Sequence, residues 1–314
     1  MRLTRLALCL ASLLLAMLPA RAAVYYVTVA GLGGEPEYEE RFTRLAQDLD
    51  RTLKASGSEA RVYTLTGSSA TRAGIRAVLA AVARDAKPED DFVLILIGHG
   101  SFDGVEYKFN LAGPDISAAE LARLCDRIAA ARQMIVNTTS ASGGSVPFLE
   151  RPRRAVIAAT KSGSEKNATV FARYWVQALH DPDADLDKDD SVSALEAFRY
   201  AQRKTAAFYQ SQDRLATEHA VFDDTGKSEP VRGPSAQNGE GLLLSNFILL
   251  RLGPEEKAAG NPAKRALLAK KEELERRIAA LKYKKAAMSE EDYKNQLTAV
   301  LVELARIQEE LDKQ

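Results

Sequence analysis

Two short segments hold side chains that could do chemistry together. One is Gly98-His99-Gly100-Ser101 and the other is Thr138-Thr139-Ser140-Ala141-Ser142-Gly143-Gly144. An imidazole titrates near neutrality, and a histidine beside a hydroxyl is a standard way of activating an oxygen nucleophile. In that arrangement Ser140 is the nucleophile and His99 the general base. The backbone amide of Gly100, with those around Ser140, is placed to hold an oxyanion. A serine nucleophile usually needs its histidine oriented by a carboxylate, and Asp103 is the nearest acidic candidate in the sequence. Each segment directly follows an aliphatic run that reads as a strand. In an open α/β sheet, groups at the carboxyl ends of neighbouring strands face one crevice, where ligands bind.

The order strand, His-Gly, strand, nucleophile, Ser-Gly resembles the caspase, metacaspase and legumain clan of cysteine peptidases. The clan pattern Asp-x-Cys-x-Ser-Gly-Gly lays its aspartate on Thr138 and its cysteine on Ser140, and Ser142-Gly143-Gly144 match it. From His99 to Ser140 is 41 residues (140 − 99), comparable with the roughly 50 of caspases. The resemblance spans about residues 24 to 252 and implies a caspase-like fold with a peptide or protein segment bound in the crevice. The departure lies at the nucleophile. A thiol is partly ionised at neutral pH and a serine hydroxyl is not. Two readings stay open: a homologue that binds peptide without cutting it, and a hydrolase working through Ser140 and His99.

A third cluster is acidic. Residues 185–196 read Asp-Leu-Asp-Lys-Asp-Asp-Ser-Val-Ser-Ala-Leu-Glu and resemble the twelve-residue EF-hand loop. Asp185, Asp187 and Asp189 take ligand positions 1, 3 and 5. Ser191 offers its backbone carbonyl at 7, Ser193 holds a water at 9, and Glu196 is the bidentate ligand at 12. The cofactor implied is Ca2+, bound weakly, at about 10⁻⁴–10⁻³ M as in extracellular modules. Asp190 stands at the sixth position, where glycine normally supplies a positive φ, and aspartate tolerates that region better than most residues.

The elements that must position these groups alternate. Short aliphatic runs at Val24 to Ala30, Ala60 to Leu65, Asp91 to Ile97, Gln133 to Asn137 and Arg154 to Ala159 read as strands. Helical periodicity lies between and after them, at Tyr38 to Leu53, Thr71 to Ala83, Ser117 to Ala131 and Ala168 to Leu179, with a further helix from Ala194 to Tyr209. The fold class is therefore α/β, a mostly parallel sheet with helices on both faces. Phe92 to Ile97 is apolar at every position, as a central strand should be. Gly31-Leu32-Gly33-Gly34 lacks the third glycine of a dinucleotide fingerprint, since Pro36 stands there, and reads as a tight strand-to-helix turn. Cys125 and Trp175 read as core, and His219 as a loop residue.

Arg2 and Arg5, the apolar run from Leu6 to Leu18 and Ala20-Arg21-Ala22 describe a secretory signal peptide over residues 1–22. The expected location is periplasmic or secreted, with no membrane span left after cleavage. Cys9 leaves with the leader, so Cys125 is the mature chain's one cysteine and has no intramolecular partner. The 43 basic and 43 acidic residues balance, so no global field attracts nucleic acid. Residues 23–252 form the α/β domain. Beyond it, 253–314 turn to Ala, Lys, Glu and Leu: Pro262 opens one helix, Ser289 caps a second, and Leu297, Val300, Leu304, Ile307 and Leu311 keep a 4-3 spacing. This tail reads as a helical hairpin whose stripe closes on itself, on the main domain, or on a second copy through 262–312. In that last reading the tail is an assembly device and the α/β domain its scaffold.

Overall fold

The computed structural model describes residues 22–56, 60–227, 229–251 and 262–313. The leader read at 1–22 lies outside these residues except for Ala22. Strand β1 (Val24–Ala30) leads through the glycine turn into α1 (Pro36–Ala55), which starts on a proline, carries Glu37 and Glu39 in its first turn and has Lys54 in its last. Then come β2 (Ala60–Leu65), α2 (Arg72–Asp85) capped by the Thr71 hydroxyl, and β3 (Asp91–Ile97). Three short strands follow, β4 (Gly100–Phe102), β5 (Tyr107–Phe109) and β6 (Ile116–Ser117). The chain continues through α3 (Ala118–Cys125), β7 (Arg132–Asn137), a 3-10 turn (Ser142–Ser145), α4 (Val146–Leu149) and β8 (Arg154–Ala158). After α5 (Phe171–Ala178) come β9 (Ser191–Ser193), α6 (Ala194–Ser211), β10 (Val221–Asp223), α7 (Leu242–Ser245) and β11 (Ile248–Arg251). The tail is α8 (Pro262–Lys284) and α9 (Glu290–Asp312).

The main sheet has the order β10-β8-β7-β3-β1-β2. All its strands are parallel except β10, which runs antiparallel to β8. Strand β3 is buried at every residue and alternates between two cores. Val93, Ile95 and Ile97 join Phe42, Leu49, Trp175 and Phe198 on one face, while Phe92, Leu94 and Leu96 join Ile75, Leu79, Leu121 and Cys125 on the other. This arrangement is the helix-covered α/β sheet expected from the alternation of runs. Phe222, the middle residue of β10, exchanges both backbone hydrogen bonds with Val231 on the strand's outer side.

Three features differ from the sequence reading. Helix α3 stops at Cys125 instead of running to Ala131, because the buried Gln133 amide donates to the carbonyls of Cys125 and Ile128 at 3.1 and 3.0 Å and satisfies them from the sheet. Helix α5 starts at Phe171, not Ala168: the buried Glu218 carboxylate accepts from the amides of Val170 and Phe171 and fixes that end from 47 residues away. The segment between β3 and α3, to which no strand was assigned, folds as the three-stranded antiparallel sheet β4-β5-β6. The tail closes mainly on itself, with Leu274, Ile278 and Val300 buried between α8 and α9. It also touches the domain, where the Tyr283 hydroxyl donates to Ser235 O at 2.5 Å and Lys282 Nζ lies 3.2 Å from Asp187 Oδ2. Among the described residues no helix is long and apolar enough to cross a membrane.

Candidate functional site

Strands β3 and β7 are neighbours, so His99 and Ser140 leave the sheet at the same edge. Their side chains then part. The Ser140 hydroxyl donates to Gly100 O and accepts from Gly100 N–H, both at 3.1 Å, so the amide read as an oxyanion donor is already engaged by the hydroxyl read as the nucleophile. His99 turns to α1 instead. Its ring lies edge-on to Tyr38 and Phe42, with centroids 4.8 and 5.1 Å away. Burial and then the nearby Arg41 guanidinium hold the imidazole below its usual pKa, partly offset by a hydrogen bond with the Gly33 backbone. Among the described residues no hydrogen bond joins His99 to Ser140. Asp103 is spent on the β4–β5 turn, where its carboxylate accepts from Val105 N and Glu106 N at 2.9 and 2.8 Å. Those same backbone bonds hold its pKa below the ordinary range.

Around Ser140 the polar groups are buried and bonded to one another. Tyr107 reaches from β5 to Asn137 and Thr139, at 3.2 and 2.5 Å. The Asn137 amide donates to Ser145 Oγ, and Ser145 Oγ donates to Ser142 O. The loop after β8 is bound in as well: Ala141 N donates to Glu165 O at 2.7 Å and Gly143 N to Thr160 Oγ1 at 2.9 Å. Ala141 adopts φ 54°, a left-handed conformation uncommon for a residue with a Cβ, directly after Ser140. The Phe102 ring lies over Gly144 and Gly163, where added Cβ atoms would come within 2.8 and 2.2 Å of it. Close packing thus accounts for the two glycines of the Ser-Gly-Gly sequence, and the Ser142 hydroxyl is bonded to Thr160.

Sequence reasoning passed over one pair at this edge. His219, just before β10, sits with Nδ1 2.5 Å from Glu165 Oε1, and its backbone amide donates to Glu165 Oε2 at 3.1 Å. The two lie 54 residues apart with no shared motif, so nothing in the sequence pairs them. Cys125 is fully buried, and burial pushes its thiol up to about 12, as expected of a core residue.

The acidic loop forms a separate cluster. Asp185, Asp187 and Asp189 each bring one carboxylate oxygen to within 4.8 Å of the others, a group that could hold a metal ion. The donors are all oxygen, which suits a hard divalent cation. Asp190 has φ 62°, the left-handed conformation the sixth position requires. Ser191 and Ser193 lie on β9, which pairs with β11, and the Ser191 hydroxyl donates to Asp189 Oδ1. Glu196 stands apart from the three aspartates. One of its oxygens accepts from Leu186 N at 2.8 Å, and the other closes a capping box with Ser193 at the start of α6. Burial raises the carboxyls of Asp189 and Glu196 above their ordinary range, and the charge of Asp187 adds to this.

No protein-family model matches the chain, and no curated protein does. Solved structures similar to it include protein GSU0716 from Geobacter sulfurreducens, at 14% identity over 65% of this chain and 93% of that one, with a TM-score of 0.44. The Drosophila initiator caspase Dronc is similar at 11% identity over 66% and 81% of the two chains, TM-score 0.40. Chaetomium thermophilum Raptor is similar at 12% identity over 52% of this chain and 19% of that one, TM-score 0.36. Likeness at this level sets no residue of one chain against a residue of another.

Proposed function

We propose that the chain is an exported protein of caspase-like architecture that holds a peptide or protein segment at the carboxyl edge of its sheet without cutting it, and that Ca2+ stabilises it at 185–196. The observation that carries the non-catalytic reading is the double hydrogen bond of Ser140 to the Gly100 peptide, with His99 turned away onto Tyr38 and Phe42. A hydroxyl with no hydrogen bond to a base and its oxyanion donor occupied is not arranged for attack. The wild type should leave a peptide panel uncut and take no label from a serine-reactive phosphonate. Ser140→Ala should cost stability instead, about 1–3 kcal/mol for the half-buried amide and carbonyl of Gly100 left unpaired, read from urea unfolding. Cleavage by the wild type that Ser140→Ala abolishes would restore the hydrolase reading.

Support for the cation lies in the twelve-residue pattern, the clustered aspartates and the φ of Asp190. Calcium should raise the melting temperature by roughly 3 °C at ten times Kd, where binding to the folded state contributes about 1.4 kcal/mol. Glu196→Gln should remove most of this shift. The pH dependence follows from the raised carboxyls of Asp189 and Glu196. With folded pKa values above the unfolded ones, their contribution is fully present at low pH and is lost as pH rises through the folded values. A bound cation opposes that loss, so the calcium shift should be larger at pH 7 than at pH 5. An equal shift in wild type and Glu196→Gln would mean the loop is merely acidic. Self-association through 262–312 is supported by Leu301 and Val302, adjacent and exposed on α9.

A further inference from the structure

Helix α9 has two faces, and the hairpin uses one of them. Val300 is buried against α8, with Leu297, Leu304 and Ile307 packed beside it. Lys294, Thr298, Leu301, Val302, Ala305 and Glu309 are all exposed. At 3.6 residues per turn these six fall within an arc of about 100°, its centre roughly 130° from that of the buried stripe. Leu301 and Val302, 45% and 47% exposed, are the large apolar side chains that the described residues of the tail leave in water. The face is also complementary to itself. Counted outward from the midpoint between Leu301 and Val302, the small residues Thr298 and Ala305 stand three and a half positions away on either side, and Lys294 and Glu309 seven and a half. Lys294 has no ion pair among the described residues, and Glu309 meets Lys313 in an exposed pair on its own helix.

We propose that this face of α9 binds the same face of a second copy, the two helices running antiparallel across a two-fold axis at Leu301 and Val302. This inference rests on the self-association reading given above and names the face, the partner and the direction. A two-fold contact must set a surface against itself. Antiparallel pairing does so with Leu301 on Val302, Thr298 on Ala305 and Lys294 on Glu309, each twice. Small residues beside the central pair let the two helices approach closely, and the apolar centre leaves water. Parallel pairing would set Lys294 on Lys294 and Glu309 on Glu309, so charge selects the antiparallel arrangement. With α8 on the outer side of each α9, the result is a four-helix arrangement. Six positions a side make a small interface, under about 1,200 Å² in total, so the dimer is weak. Glu291 and Asp312, ten and a half positions from the midpoint, oppose like charges and weaken it further.

The test is sedimentation equilibrium of the whole mature chain over about 10 μM to 1 mM, the range a small interface requires. Wild type should follow a monomer–dimer equilibrium. Leu301→Ser should weaken it about tenfold or more, since each substitution acts twice in the dimer, and circular dichroism should show the helix content unchanged because Leu301 lies outside the buried stripe. Lys294→Glu should weaken the dimer about threefold, as exposed ion pairs allow. Combining Lys294→Glu with Glu309→Lys should restore it, and Asp312→Lys should tighten it about threefold. A dimer that Leu301→Ser leaves unchanged, or a charge exchange that fails to restore it, would overturn the α9 pairing and leave self-association standing through another surface. A chain that stays monomeric over the whole range would overturn the pairing and the self-association together.

Discussion

Gly143→Ala is expected to destabilise the fold by about 3 kcal/mol or more, at the upper end of what overpacking costs. A Cβ at Gly143 would lie 2.3 Å from Ser162 N, 2.4 Å from Lys161 C and 2.6 Å from Ser162 Cα. These are backbone atoms, so no side chain can rotate to make room. The loops after β7 and β8 would have to separate, breaking the bonds from Gly143 N to Thr160 and from Ala141 N to Glu165 O. Denaturant unfolding measures the loss. A change below about 1 kcal/mol would mean that the two loops are not packed backbone to backbone, and the packing account of the Ser-Gly-Gly sequence would fall with it.

Trp175→Ala should cost about 3–5 kcal/mol, as the loss of a large aromatic from a packed core does. The Trp175 ring is 1% exposed, stacked on Phe171 at 6.2 Å between centroids, in the core that also holds Phe198 and Phe222. Its indole nitrogen is buried with no hydrogen-bond partner, so Trp175→Phe should lose packing volume but no hydrogen bond and cost about half as much or less. Thermal and urea unfolding of the two variants give the comparison. Equal losses would show that the ring's polar edge, and not its volume, is what the core requires.

What was legible in the sequence follows from which forces are local. Strands β1 to β3 fall where the short β-rich runs placed them, and β3, buried on both faces, leaves an unbroken apolar signature from Phe92 to Ile97. Thr71, Ser117 and Ser289 cap the helices after them, since a cap acts within three residues. The ends of α3 and α5 were not legible, because Gln133 and Glu218 act on them from outside the helix. Strands β4, β5 and β6 have two or three residues each, too few for any period to register. The site divides the same way. Strand order brings His99 and Ser140 to one edge, which alternation could suggest, but the direction of the His99 ring depends on Tyr38 and Phe42, roughly 60 residues earlier. The acidic loop was legible as a pattern down to the position needing a positive φ, whereas Lys282 above it could come only from the tertiary structure.

The bridge from Phe222 to Val231 bears on how copies of this sheet could meet. In a three-residue antiparallel strand, alternate residues point their backbone groups to opposite sides, so Phe222 alone faces outward from β10 while Val221 and Asp223 face β8. With Phe222 taken by Val231, that rim offers no free donor or acceptor. The opposite rim is β2, which pairs only with β1 among the described strands. A sheet with both rims free can add copies head to tail without end, and that is the route to fibres. A sheet with one free rim can join only like to like across a two-fold axis, and the pair so formed has no rim left for a third copy.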